Sequence, residues 1–140
     1  MKRFFASFDV VSEMYSLAEL ETLLGEKGSD DSFDRLSRDV VGRPQPYTML
    51  RIASQVVATA SADEHVSQLR TIMNRVAGRL RDRSLNDHRF MLNIALFFDT
   101  AAGSLDLTPS LLCGISLPYE LSISCYPVSD AATDAANDAE

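Results

Sequence analysis

The sequence predicts an α+β domain built on a ferredoxin-like antiparallel sheet, and three stretches carry that prediction. Phe4, Ala6, Phe8 and Val10 alternate with Phe5, Ser7, Asp9 and Val11, the period of two that marks a strand. Behind Ser61, Val66, Leu69, Met73, Val76 and Leu80 recur at spacings of three and four, the stripe of an amphipathic helix. Phe90, Leu92, Ile94, Leu96 and Phe98 then alternate again without a break. Read in full, the elements run β-α-β-β-α-β, followed by a short α and a final β. The first six match the split βαβ pattern, with both helices on one face of the sheet.

The first strand feeds a capped helix. In Ser16-Leu17-Ala18-Glu19 the serine hydroxyl can accept from the amide of Glu19, whose carboxylate can reach back to the amide of Ser16. Leu17, Leu20, Leu23 and Leu24 follow at helical spacing, and Gly25 can take the left-handed turn that ends the helix. Glu26 to Asp34 is polar and reads as a loop. Leu36 to Val41 is the weaker strand, and Gly42-Arg43-Pro44-Gln45-Pro46 is a turn, because two prolines so close break helix and ladder alike. Tyr47 to Ala58 is rich in β-formers and reads as a strand.

Ser61-Ala62-Asp63-Glu64 is a second capping box and opens the long helix, which ends at Ser84 to Asp87. Phe90 to Asp99 is apolar on both faces, which suits a central strand. Ala101 to Ser104 is a turn. Thr108-Pro109 starts a short helix through Leu111, Leu112 and Ile115, weakened by Gly114. Glu120 to Val128 is the last strand, with Cys125 sharing a face with Leu121 and Ile123 and reading as a small core residue. Residues 1–128 form one domain. Residues 129–140 are an Ala/Asp-rich acidic tail with no large apolar side chain, so the expectation there is disorder.

A chain of 140 residues can bury a real core without staples. Its formal charge of −7 is unevenly spread: the tail holds four acids and no base, leaving 16 acids against 13 bases in the body. No run approaches the roughly 18 apolar residues of a membrane span. Two cysteines, Cys113 and Cys125, make no disulfide framework, so the expected setting is the cytoplasm with both thiols reduced.

Chemistry is sparse. There is no phosphate loop and no nucleophile elbow. His65 lies in the first turn of the long helix and His88 beyond its end, so the two cannot share a site, and the cysteines lack zinc spacing. His88 beside Asp87 has the makings of a general base, but no nucleophile accompanies it and it reads as a solvated loop residue. The sequence implies no metal and no cofactor. Two charged groups stand out as partner-binding candidates. Asp30, Asp31 and Asp34 form an acidic loop. Arg75, Arg79 and Arg83 stand at i, i+4 and i+8 as one helical stripe, where they also suit a helix C-terminus. A net acidic body is a poor match for nucleic acid.

Ser16 to Gly25 with the strand before it, Ser61 to Leu80, and Leu105 to Leu112 followed by Glu120 to Tyr126 together give the chain a resemblance to the bacterial domain-of-unknown-function family 4279. Members of that family carry a tryptophan that opens the middle strand; Tyr47 or Met49 stands near that place here. The resemblance implies a fold and no activity.

The resulting expectation is a non-catalytic module for protein–protein contact, in its most concrete form an immunity- or antitoxin-like protein. Its acidic loop would cover a basic toxin. The alternatives are a homodimer formed through an exposed sheet face that includes Phe5 and Phe97, or a small-ligand or enzymatic domain with a pocket between sheet and helices.

Overall fold

Seven elements follow one another in the computed structural model, which describes residues 2–81, 83, 87–99 and 104–128. They are β1 (Lys2–Ser12), α1 (Leu17–Leu24), β2 (Thr48–Ala53), α2 (Ala62–Arg79), β3 (Arg89–Phe98), α3 (Pro109–Cys113) and β4 (Glu120–Pro127). The strands form one mixed sheet in the order β2-β1-β3-β4. β1 runs antiparallel to both neighbours, with Val10 opposite Leu50 and Phe90, whereas β3 and β4 are parallel.

The period of two decides which residues meet the helices. Phe4, Ala6, Phe8 and Val10 of β1, Leu50 and Ile52 of β2, and Phe90, Leu92, Ile94 and Leu96 of β3 are all buried. Most of these pack against Leu20 and Leu24 of α1 and against Val66, Leu69, Met73 and Val76 of α2. Each fully buried side chain of this size contributes about 1.5–3 kcal/mol. α1 lies on β2, α2 on β1 and α3 on α2, and no helix makes more than marginal contact with β4.

Both capping boxes form. Ser16 accepts from the amide of Glu19 at 3.2 Å and Ser61 from that of Glu64 at 3.2 Å, with each glutamate bonded back to its serine amide. Gly25 ends α1 at φ +66°, and the Arg79 guanidinium lies so close that a Cβ there would sit 2.3 Å from Cζ. The left-handed backbone is what favours glycine here, since the guanidinium is the free end of a flexible side chain and could move aside. Thr108 precedes Pro109 as expected but does not cap α3. Its hydroxyl and its amide, at 2.8 Å, both donate to Asp63 in the first turn of α2.

The α+β class and the helices on one face of an open sheet stand, but the ferredoxin-like succession does not. It needs a strand near Leu36 to Val41. That segment holds only turns and an isolated bridge between Arg38 and Pro44, with Leu36 itself at φ +67°. The connection therefore returns β2 directly beside β1. One split βαβ unit survives, β2-α2-β3 with β1 lying between its strands, and the parallel β3-α3-β4 crossover replaces the second. β2 also stops at Ala53, earlier than its run of β-formers suggests, although Ser54 and Ala58 still exchange backbone bonds with Ala6 and Phe4. Cys125 is exposed rather than in the core. It lies on the helix-side face, in register with Leu96, but no helix reaches over it. His88 is buried between Tyr15 and Phe90, with ring centroids at 5.5 and 6.1 Å, and is no solvated loop residue. The predicted tail, 129–140, and residues 101–103 of the expected turn lie outside the described residues.

Candidate functional site on the open face of the sheet

The face turned away from the helices is where the chemistry collects. Asp9 stands in the middle of the apolar run of β1, and the pleat directs it to this face, opposite Arg51 of β2. Its side chain is fully buried, and a carboxylate out of water needs partners. Arg51 supplies two in fork geometry, Nε to Oδ1 at 2.9 Å and Nη2 to Oδ2 at 2.8 Å. Asn93 of β3 donates a third, Nδ2 to Oδ2 at 2.6 Å. Arg51 also donates from Nη1 to Asp31 at 2.9 Å. The Asp9 and Asp31 carboxylates raise the pKa of Arg51, so the guanidinium stays charged throughout the accessible pH range.

The loop that brings Asp31 here is stitched to the backbone of the same arginine. The amide of Ser29 donates to the carbonyl of Arg51 at 2.7 Å, and the amide of Arg51 donates to the Ser32 hydroxyl at 2.9 Å. The Ser29 hydroxyl lies 2.7 Å from Asp31 and 2.8 Å from the Arg51 carbonyl. That hydroxyl and Arg51 together hold Asp31 below its usual carboxylate pKa. Phe33 then pairs with Met49 through two backbone bonds of 2.9 Å, closing the outer side of β2.

Beside this network is an open hollow of about 480 Å³, lined by Phe5, Ser7, Ser54, Asn93, Ser124 and Tyr126 among others. Its aromatic side is a row across three strands. Phe5 meets Phe97 edge to face at 5.4 Å, and Phe97 stacks on Tyr126 at 5.0 Å. Phe5 is 52 % exposed and Tyr126 48 %. The charges beneath, two carboxylates and one guanidinium, leave the floor net negative. The hollow thus offers exposed rings for stacking, hydroxyls and an amide for hydrogen bonds, and an acidic bias that favours cationic or donor-rich groups.

His65 closes one wall from behind. Its Nε2 lies 3.1 Å from the carbonyl of Val57, which can only accept, so Nε2 carries the proton and Nδ1 accepts from the Ser54 hydroxyl at 2.8 Å. Burial lowers its pKa and keeps it neutral. The imidazole ties the chain leaving β2 to the first turn of α2.

The acidic loop residues expected from the sequence divide between tasks. Asp31 belongs to the network above. Asp34 accepts from the amide of Leu17 at 2.6 Å, at the start of α1, where a carboxylate also complements the helix dipole. Asp30 is exposed. The arginines lie on the helical side but not as one helical stripe: Arg75 and Arg79 are on α2, which ends at Arg79, and Arg83 follows in the turn beyond it. Arg75 pairs with Glu26 at 2.7 Å, Arg79 packs over Gly25 at the C-terminal end of α1, and Arg79 and Arg83 line a shallow depression of about 620 Å³ with Tyr15 and Thr22. Among the described residues, no hydrogen bond or ion pair joins these arginines to the acidic loop. Nor is there a cluster of His, Cys, Asp and Glu that could hold a metal ion, or a helix long and apolar enough to cross a membrane.

Sequence reasoning missed Asp9, Arg51 and Asn93. The signal was present: an aspartate inside an otherwise apolar strand requires a cation or donors on the neighbouring strands, and Arg51 is the basic residue inside the next one. No protein-family model matches the chain, and no curated protein or solved structure matches it.

Proposed function

We propose that this protein is a non-catalytic protein–protein interaction module. It binds a basic partner on the open face of its sheet, in the manner of a small acidic immunity-type protein that blocks a toxin. The observation that carries this reading is the pairing of exposed Phe5 and Tyr126 with the acidic Asp9–Arg51–Asp31 network beside them. Exposed rings anchor an interface and attract lysine or arginine over their faces. Asp30 and Asp31 at the margin add steering toward a basic surface. The reading is non-catalytic because Asp9, the one fully buried carboxylate among the described residues, is already occupied by three donors. The resemblance to family 4279 is proposed alongside it and adds no activity.

The test is crosslinked capture from the native host with tagged wild-type protein and with a Phe5→Ser/Tyr126→Ser variant. A basic protein recovered with the first and lost with the second is the expected outcome. Equal recovery by both, or recovery of no basic protein, would sink the reading.

A second reading follows from the hollow itself, where Ser7, Ser54, Ser124 and the Asn93 amide converge around about 480 Å³. It is a small-ligand site for a neutral, donor-rich molecule with a flat face. Nuclear magnetic resonance titration with sugars and nucleosides tests it, with shifts expected at Asn93 and Ser124 and none at Arg75.

A further inference from the structure

We infer that the outer edge of β4 pairs with a second copy of this chain, antiparallel, about a two-fold axis at Ile123. This does not depend on the partner reading above. Among the described residues nothing pairs with that edge: the sheet ends at β4, and no loop bonds to its outer side. Leu121 and Ile123 face the helix side yet are 42 % and 45 % exposed, because the helical layer stops short of them. An unpaired edge strand with apolar side chains is a template for another strand.

The pattern of the strand fits itself. In antiparallel pairing, residues directly opposite share a face. A register centred on Ile123 sets Ile123 against Ile123, Leu121 against Cys125 and Ser122 against Ser124 of the second copy. The three exposed helix-side residues of each copy then form one continuous apolar layer, and the two helical layers lie on the same side of the joined sheet. Charge does not oppose this. Residues 121–126 carry none, and Glu120 is held by Arg89 of its own chain at 3.0 Å. In this register Glu120 faces Tyr126 of the second copy, so no like charges meet. The other candidate occupant from this chain, residues 129–140, has no large apolar side chain to cover Leu121 and Ile123. Strand pairing with one apolar layer sits near the small end of specific interfaces, about 1,200 Å² in total.

Sedimentation velocity of the full chain from about 1 to 500 μM spans the range in which such an interface forms. The expected result is a shift from one chain to two, abolished by Ile123→Lys with an unchanged circular dichroism spectrum and melting temperature. A second variant fixes the geometry. In a Cys113→Ser/Cys125→Ser background, Ile123→Cys should oxidise to a covalent dimer because that position meets itself on the axis, and Ser67→Cys on α2 should not. A single chain at every concentration overturns the proposal, as does a dimer that survives Ile123→Lys. A monomer in which the β4 amides pointing away from β3 resist hydrogen exchange also overturns it, and assigns the edge to the chain's own tail.

Discussion

The two edges of the sheet are built on opposite plans. At β2 the edge is closed: Ser29, Ser32 and Phe33 bond to its backbone, Arg51 is clamped between Asp9 and Asp31, and Ile52 is buried beneath the helices. At β4 the edge is bare, with Leu121, Ile123 and Tyr126 in solvent and the helical layer ending before it. Both strands are short and both carry a good β pattern. The difference lies in what the connecting chain does afterwards. The connection before β2 folds back along that strand's outer side, whereas the connection before β4, of similar length, carries α3 onto α2 on the helical side. In this sheet the protected edge owes its protection to neighbouring chain rather than to its own composition.

That contrast can be broken from its strongest point downward. Arg51→Met strands the fully buried Asp9 with Asn93 as its remaining partner and releases Asp31. The expected loss is about 3–5 kcal/mol of stability in urea denaturation. Residues 28–33 should also exchange their amides faster, while β4 is unchanged. A loss below about 1 kcal/mol would mean that the clamp is not what holds this edge.

The next largest effect compares equivalent isoleucines. Ile52→Ala removes a buried side chain and is expected to cost about 2–4 kcal/mol, whereas Ile123→Ala should cost under about 1 kcal/mol in dilute protein. Similar costs at the two sites would show that β4 is covered after all. Ser29→Ala takes a hydroxyl from the Asp31 carboxylate and the Arg51 carbonyl. A destabilisation of about 1 kcal/mol is expected, with the pKa of Asp31 rising back toward its ordinary value in a carbon-detected titration.

The smallest effect is one of pH. His65 is neutral in the folded protein and its pKa lies below the ordinary 6.5 because of burial. The unfolded chain therefore takes up a proton first as the pH drops, so the stability that His65 contributes is complete above about pH 6.5 and declines below it. Protection of the amides at 54–58, measured against their intrinsic exchange rates, should fall on acidification through that window, and at 121–126 it should not. Protection at 54–58 that falls toward alkaline pH instead would reverse the sign and remove His65 as the cause.

Local chemistry was legible in the sequence wherever the partner lay within one turn. Ser16 with Glu19, Ser61 with Glu64 and the left-handed Gly25 all emerged as read, because a cap is decided by residues three apart. Strand periodicity also identified the faces of β1 and β3 correctly. Parity, however, assigns a face and not its cover, which is why Cys125 looked like core. The strand order was illegible because it depends on where the chain between Gly25 and Tyr47 goes, and there Leu36, Gly42 and two prolines turn the backbone back without a strand. Val56 and Val57 lengthened the apparent strand, although Ser54 and Val57 are committed to His65 by side-chain and carbonyl bonds. Asp9 was legible as a carboxylate that needs partners, but that Arg51 and Asn93 supply them follows from the strand order, as does the hollow beside them.

The central place of β1 has a consequence for how the protein comes into being. That strand pairs on one side with β2 and on the other with β3, where Phe4 meets Leu96. During synthesis β1 is followed by α1, β2 and α2 before its second neighbour, β3, is made. Until then one edge of β1 has no strand beside it, and closing so long a loop makes folding slow relative to a helical chain of the same size. Exposure to aggregation is therefore greatest before β3 docks and falls once it has.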